Sequence, residues 1–410
     1  MTKKKVMVIG AGAGQVPIIE CCKAHGLETF VVSPDGPYPG ISLADVHIKE
    51  DIYNVNSLIE IGKKEKIDFV ISDQSDYAVP IVAEIAEALR LPGNSPEVAK
   101  TYSYKSKFRK FCEENHIPTP KAFSVSKNYD INEFKNLKFP VIVKPSDSQG
   151  SRGIMKVNSF DSLKDAIESA MPYSKNKEVV IEEYFKGREI VCEGFILNGK
   201  YHNIAFGDRE YFDIKDKFIP SKTIFPSSIS ENYKQLIIEN ENKITELLKP
   251  NFGIVHSEYL IDDSGNFIVV ESALRGGGVY IASHLIPFTT GIDLTEALLN
   301  AVTGNTDKAL ELIESKKETG IAEYFCFYLK EGKITKISLE ESLKNNPDIK
   351  LVELDNIKVG DNVFKFEHKG QRKGPILIYS KDWEDLKSAE TLIRKYLVVE
   401  IDNKDGIIWS

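Results

Sequence analysis

Within the first hundred residues, short β-branched runs alternate with helix-length stretches, and this rhythm limits the possible folds more than any motif does. Residues 6–9, 29–33 and 68–72 read as strands, with helices over about 16–25, 55–64 and 79–89. Strands separated by helices pair in parallel, so the segment predicts a doubly wound α/β sheet with helices on both faces. At 410 residues the chain exceeds one ordinary core, and two or three domains are expected.

A charged helix over about 104–115 ends at HIPTP, and from residue 139 the pattern changes. Longer apolar runs follow, FPVIVK, EIVCEGFIL, YHNIAFG and GIVHSEYLIDDSGNFIVVES, split by short polar turns at 197–200 and 262–266, which predicts antiparallel pairing. After a helix near 294–302, the runs FCFYL, KITKISL and PILIYS and a helix near 382–396 predict a small α+β unit. The fold class expected is therefore mixed, α/β followed by α+β.

A net charge of −8 without a basic, aromatic-studded stripe argues against nucleic acid as a partner. No run approaches the roughly 20 apolar residues of a membrane span. Five cysteines, an odd number without C-x-x-C or zinc-ligand spacing, fit a reduced, cytoplasmic protein.

The sharpest chemical feature is a pair of glutamates, Glu258 and Glu271, flanking the turn DDSGN. Their mean position falls at the centre of the turn, so a regular hairpin sets them opposite one another, about 4.5–5.5 Å apart at Cβ. Two such carboxylates repel unless a cation lies between them, and oxygen donors suit Mg²⁺ carrying nucleotide phosphates. A one-residue bulge is expected to part them. Downstream, Arg275 precedes three glycines, a guanidinium fork beside backbone that permits close approach. His256 shares a strand face with Glu258 and is a candidate for orienting substrate or moving a proton.

Lys144 leaves an apolar strand into the small polar loop SDSQGSRG, whose N–H groups can cradle phosphates, although no Walker A pattern is present. VVIEEYFKGRE mixes apolar and acidic residues, as a nucleoside site requires. The cluster Gly10, Gly12 and Gly14 raises the question of a dinucleotide. Position 15 is Gln, however, and the second strand ends in Ser33 where a ribose-binding acid is expected, which disfavours NAD.

Taken in order, these pieces resemble the ATP-grasp superfamily, in the branch of carbamoyl-phosphate synthetase-like proteins and L-amino acid ligases, and SDQSDYAVPIVAEIAEALRLPGNSP is similar to the end of that branch's first domain. The resemblance implies a pre-ATP-grasp domain over 1–104, an ATP-grasp domain over 105–310 with a mobile lid at about 118–190, and a C-terminal α+β domain over 311–410. It implies that Lys105 and Lys144 contact ATP phosphates beneath a loop containing Gln149, Gly150, Ser151 and Gly153. Glu182, with the backbone of Glu183 and Phe185, is expected to receive adenine, and Glu189 the ribose. Glu258 and Glu271 are expected to hold Mg²⁺ or Mn²⁺, Arg275 to stabilise the acyl phosphate, and Lys215 or Lys217 to reach phosphate. One departure stands out: where the family commonly has E-x-N-x-R, this chain has Ala273, which puts a second metal in question.

The activity implied is ATP-dependent ligation of a small carboxylate to an amine or thiol through an acyl phosphate, releasing ADP and phosphate. A homodimer is the implied assembly. The alternatives are formation of carbamoyl, formyl or carboxy phosphate, and a non-catalytic ATP-binding regulator.

Overall fold

In the computed structural model, residues 3–409 are described apart from 149, 215, 216, 279, 367 and 368. The opening sheet is parallel. Lys5–Ile9 pairs with Glu28–Ser33 on one side and with Phe69–Ile71 on the other, and Val46–Lys49 extends the Glu28–Ser33 edge. The strand order thus reverses between Lys5–Ile9 and Phe69–Ile71, which leaves a crevice beyond their carboxyl ends. Helices Val16–Ala24, Val55–Glu65 and Ala78–Leu89 cover the sheet, and both faces of Lys5–Ile9 are buried because Met7 and Ile9 pack one way, Val6 and Val8 the other.

The loop LPGNS leads at once into a helix, Pro96–Ser103, whose first turn is capped by the Ser95 hydroxyl. It stacks between Ala78–Leu89 and the next helix, Lys105–Glu114. A four-stranded antiparallel sheet follows, ordered Ala122–Ser126, Glu178–Glu183, Val141–Pro145, Met155–Val157, closed on one face by the amphipathic helix Leu163–Ala170.

A nine-stranded sheet forms the centre of the molecule. Phe267–Ala273, Phe252–Ile261, Arg188–Leu197, Lys200–Tyr211 and Pro220–Phe225 lie side by side, and Ile321–Leu329 continues the sheet into the last ninety residues. Its two faces bury different partners. Val191, Phe195 and Ile254 pack toward Leu294–Val302 and the Ile18–Ile19 side of the opening sheet. Ile190, Cys192, Ile196, Val255 and Tyr259 pack against Lys105–Glu114 and an 18-residue helix, Glu231–Leu248, which the sequence reading left unassigned. Among the described residues no helix is long and apolar enough to cross a membrane.

Candidate active site

Period-two alternation gathers the polar groups onto one face of the central sheet. Glu189, Val191, Glu193 and Phe195 share a face of their strand. The register sets Glu193 beside His256, Val191 beside Glu258, and Glu189 beside Arg209. On the next strand over, His256 faces Ala273 and Glu258 faces Glu271. The face is thus apolar where Phe195 and Ile254 join the core and becomes ionic toward the Glu189 end.

Glu258 and Glu271 are partners, but the reason differs from the sequence argument. From the turn outward the register is Ile261 with Phe267, Leu260 with Ile268 and Tyr259 with Val269, which alone would set Glu258 opposite Val270 and turn Glu271 to the other face. Val270 is an extra residue, a β-bulge, and it shifts Glu271 into line with Glu258. The bulge expected to separate the carboxylates is what brings them together. Its carbonyl accepts from the Arg109 guanidinium, and the neighbouring Val269 N–H donates to the Pro118 carbonyl at 2.9 Å, so the kink is held from outside the hairpin.

The two carboxylates are each about one-fifth exposed and meet different cations. Glu258 pairs with Arg209, and His256 Nε2 lies 3.4 Å away. Burial opposes ionisation of Glu258, but Arg209 and His256 outweigh it and hold the carboxyl well below the usual range. Lys105 Nζ lies 3.4 Å from Glu271 and donates to the Ser148 carbonyl at 3.2 Å, linking the loop that follows Lys144 to the hairpin. Burial works against the Lys105 ammonium, yet Glu271, Asp76 and Glu258 raise its pKa.

Arg209 also bonds Glu189 at 2.8 Å, and the Tyr211 hydroxyl donates to the same carboxylate. Burial, then repulsion from Glu258, pushes the Glu189 carboxyl up to about 7 against these partners. His256 is buried with Nδ1 against Glu193; burial disfavours its charge, but Glu193 more than compensates and raises its pKa.

Lys144 and Glu182, expected at phosphate and at adenine, are ion-paired with each other. Lys144 Nζ pairs with Glu182 at 2.8 Å, and Arg109 Nε donates to the other oxygen of the same carboxylate at 2.7 Å. The Glu182 side chain is thereby a buried countercharge to two cations. Burial lowers the Lys144 pKa despite Glu182, with Arg109 and Lys105 adding to the effect. The Glu183 N–H is taken by the Lys121 carbonyl at 2.9 Å, while Phe185, half-buried, follows the strand end. In the loop that follows Lys144, Gly150, Ser151 and Gly153 all have positive φ, and a side chain at Gly150 would enter open space. Gln149 and Lys215 lie outside the described residues; Lys217 donates to the Phe366 carbonyl at 3.1 Å.

Arg275 is bound from the opening sheet. Its Nε and Nη2 donate to the two oxygens of Asp76 at 2.6 and 3.2 Å, a bidentate pair that raises its pKa against burial. The next residues press against the site: Gly276 N–H donates to Asp73 at 2.8 Å and Gly277 N–H to Glu193 at 3.2 Å. A Cβ at Gly277 would come within 2.2 Å of Glu193 Oε1, so this turn demands glycine. Asp73 itself is pushed up to about 6 by burial, which the N–H groups of Gly276 and Gln74 only partly offset.

The sequence reading gave no role to Arg109, Arg209, Asp76, Glu193 or Lys369. Lys369 enters from the C-terminal region into the field of Arg209, Glu258 and Arg275, and burial followed by the Arg372 charge drives its amine down to about 7. A signal existed for Glu193 and Arg209, which repeat the period-two pattern of Glu189 and Glu258. None existed for Asp76 or Lys369, whose partners lie far away in sequence.

The opening parallel sheet thus supplies the acids that hold Arg275 and Gly276, and the central antiparallel sheet carries the paired carboxylates. Residues 111–276 match the family described as D-ala D-ala ligase C-terminus. It is 25% identical over 309 residues to the carbamoyl phosphate synthase large chain of Clostridium botulinum (strain Langeland / NCTC 10281 / Type F), covering 70% of this chain and 28% of that one. The chain therefore spans less than a third of that relative's length. In fold it is similar to the L-amino acid ligase from Bacillus licheniformis, with a TM-score of 0.82 at 20% identity over 98% of this chain and 100% of that one. It is also similar to the biotin carboxylase domain dimer of the Hydrogenobacter thermophilus 2-oxoglutarate carboxylase, described in complex with MgADP, ADP and bicarbonate, with a TM-score of 0.74 at 15% identity over 100% and 92%.

Proposed function

We propose that this chain is an ATP-dependent ligase that joins a small carboxylate to an amine through an acyl phosphate. The observation that supports it most directly is the bulge-aligned pair Glu258 and Glu271, ringed by Lys105, Arg209 and Arg275. A donor set of two carboxylates in register suits Mg²⁺ or Mn²⁺ with ATP, and Ala273 adds no oxygen, so one ion is the reading adopted. When bound, the ion neutralises phosphate charge and draws electrons from the transferred group.

The protein groups then divide the work. Lys144, fixed by Glu182, and Lys105, fixed by Glu271, present positive charge to the phosphates, while the loop with Gly150, Ser151 and Gly153 closes over them. Glu189 holds the ribose and the strand end at Glu183 and Phe185 meets adenine through its backbone, with Glu182 assigned to the lysine instead. A carboxylate oxygen of the substrate attacks the γ-phosphorus and ADP leaves. Amine attack at the acyl carbon expels phosphate, and the amine proton passes to solvent. Arg275, oriented by Asp76, opposes the charge that develops on the acyl oxygens, and His256, held by Glu193, orients the substrate. The division into segments 1–104, 105–310 and 311–410 belongs to this reading, with small-molecule partners and homodimer assembly.

Phosphate and ADP release measured across a panel of amino acids, other carboxylates and bicarbonate tests it. Lys144→Ala and Glu271→Ala are each expected to lower substrate-dependent phosphate release by about 10²–10³-fold with the circular dichroism spectrum unchanged. Normal turnover in either variant overturns the site assignment. Release driven by bicarbonate alone would favour the carboxyphosphate alternative.

A further inference from the structure

Away from the ionic face, the opening sheet's first helix meets the helix Leu294–Val302. Cys21 and His25 stand four residues apart on Val16–Ala24 and its C-terminal cap, hence on one side of that helix. Glu296 reaches them from the first turn of Leu294–Val302. Cys21 Sγ lies 3.2 Å from Glu296 Oε2, and His25 Nε2 lies 2.8 Å from Oε1 and 2.9 Å from Oε2. Thiol, imidazole and carboxylate donor atoms all fall within 4.8 Å of one another.

We propose that Cys21, His25 and Glu296 form a metal site for a divalent ion of the zinc class, which clasps these two helices together. An ion pair between His25 and Glu296 needs no sulfur, yet the thiol is turned onto the same carboxylate. Mixed sulfur, nitrogen and oxygen donors suit Zn²⁺ in a tetrahedral arrangement, with solvent in the fourth position. Two further features support a cation here. His25 is the C-terminal cap of Val16–Ala24, the end of that helix that carries partial negative charge. Asn300 Nδ2 donates to Glu296 Oε1 at 3.0 Å, fixing the carboxylate from behind as outer partners of metal ligands do. The other cysteines, Cys22, Cys112, Cys192 and Cys326, are buried, so Cys21 is the accessible thiol. The ligand spacing, four residues and then more than 270, explains why no zinc pattern is visible along the sequence.

Full-length protein stripped with chelator and then titrated with Co²⁺, in saturating Mg²⁺ to fill the carboxylate pair, should develop the near-ultraviolet thiolate-to-cobalt band. The band should saturate at about one equivalent and be displaced by Zn²⁺. Cys21→Ser should abolish it, and the exposed His25→Gln, which leaves the core untouched, should weaken cobalt binding. Asn300→Ala should weaken it by about tenfold. Zn²⁺ should raise Tm in the wild type and not in Cys21→Ser. Absence of the band in the wild type, an equal band in Cys21→Ser, or an equal zinc-induced Tm shift in both proteins would overturn the proposal.

Discussion

Asp73 is one buried group through which stability becomes pH-dependent. Its carboxyl is raised from 3.8 to about 6 in the folded chain, chiefly by burial, so the native state binds a proton the unfolded state has lost between those values. Stability from this group is complete below pH 3.8 and is lost as pH rises through about 6. Asp73→Asn should therefore gain stability relative to wild type across that window, by roughly 2–3 kcal/mol above it, measured by urea unfolding at several pH values. A pH-independent difference would show that folding does not shift the Asp73 carboxyl. At Gly277 the constraint is steric. Gly277→Ala should cost about 1–3 kcal/mol in stability and reduce turnover, because the new methyl displaces Glu193 and with it His256. Residue types were legible in the sequence at these sites, since Glu258, Glu271, Lys144 and Arg275 were picked out by pattern. Partners were not: the ion pairs of Glu182 with Lys144 and Arg109 have no sequence signature, because a helix residue seventy-three positions away leaves no local trace.

The strand Phe267–Ala273 carries the most consequential irregularity. Deletion of Val270 should restore a continuous ladder and keep the hairpin with Glu271 still opposite Glu258, while removing the carbonyl that Arg109 holds. Retained phosphate release with little change in circular dichroism is the expected outcome, and its loss would show that the kink held by Arg109 and Pro118 is needed beyond the alignment of the two carboxylates. Strands and helices with strong periodicity were readable from sequence, as in Ala78–Leu89 and Arg188–Leu197. Bulges were not, because an extra residue in a β-branched run alters register without altering composition. The same holds for Glu231–Leu248, whose polar residues mask an apolar stripe built from Ile237 and Ile244.

Across the whole molecule, the opening sheet and the central sheet share one ion pair at the site, Asp76 with Arg275. Asp76→Ala leaves a buried guanidinium without its partner and should destabilise the protein by about 3–5 kcal/mol. Adding Arg275→Ala should recover much of that loss without restoring turnover, as a double-mutant cycle of unfolding and activity would register. Full additivity of the two changes would mean that the pair is not coupled. The β/α rhythm revealed the opening sheet, but nothing in it showed that the crevice would supply the arginine's acid, because that depends on how two sheets dock. The pairing also limits modular exchange. An opening sheet transplanted from another protein must bring an acid to the position of Asp76, or the graft will fold beside an arginine pointing elsewhere. Recombination between such chains should thus succeed only at breakpoints that keep the segment around residue 76 and the RGGG turn from the same parent.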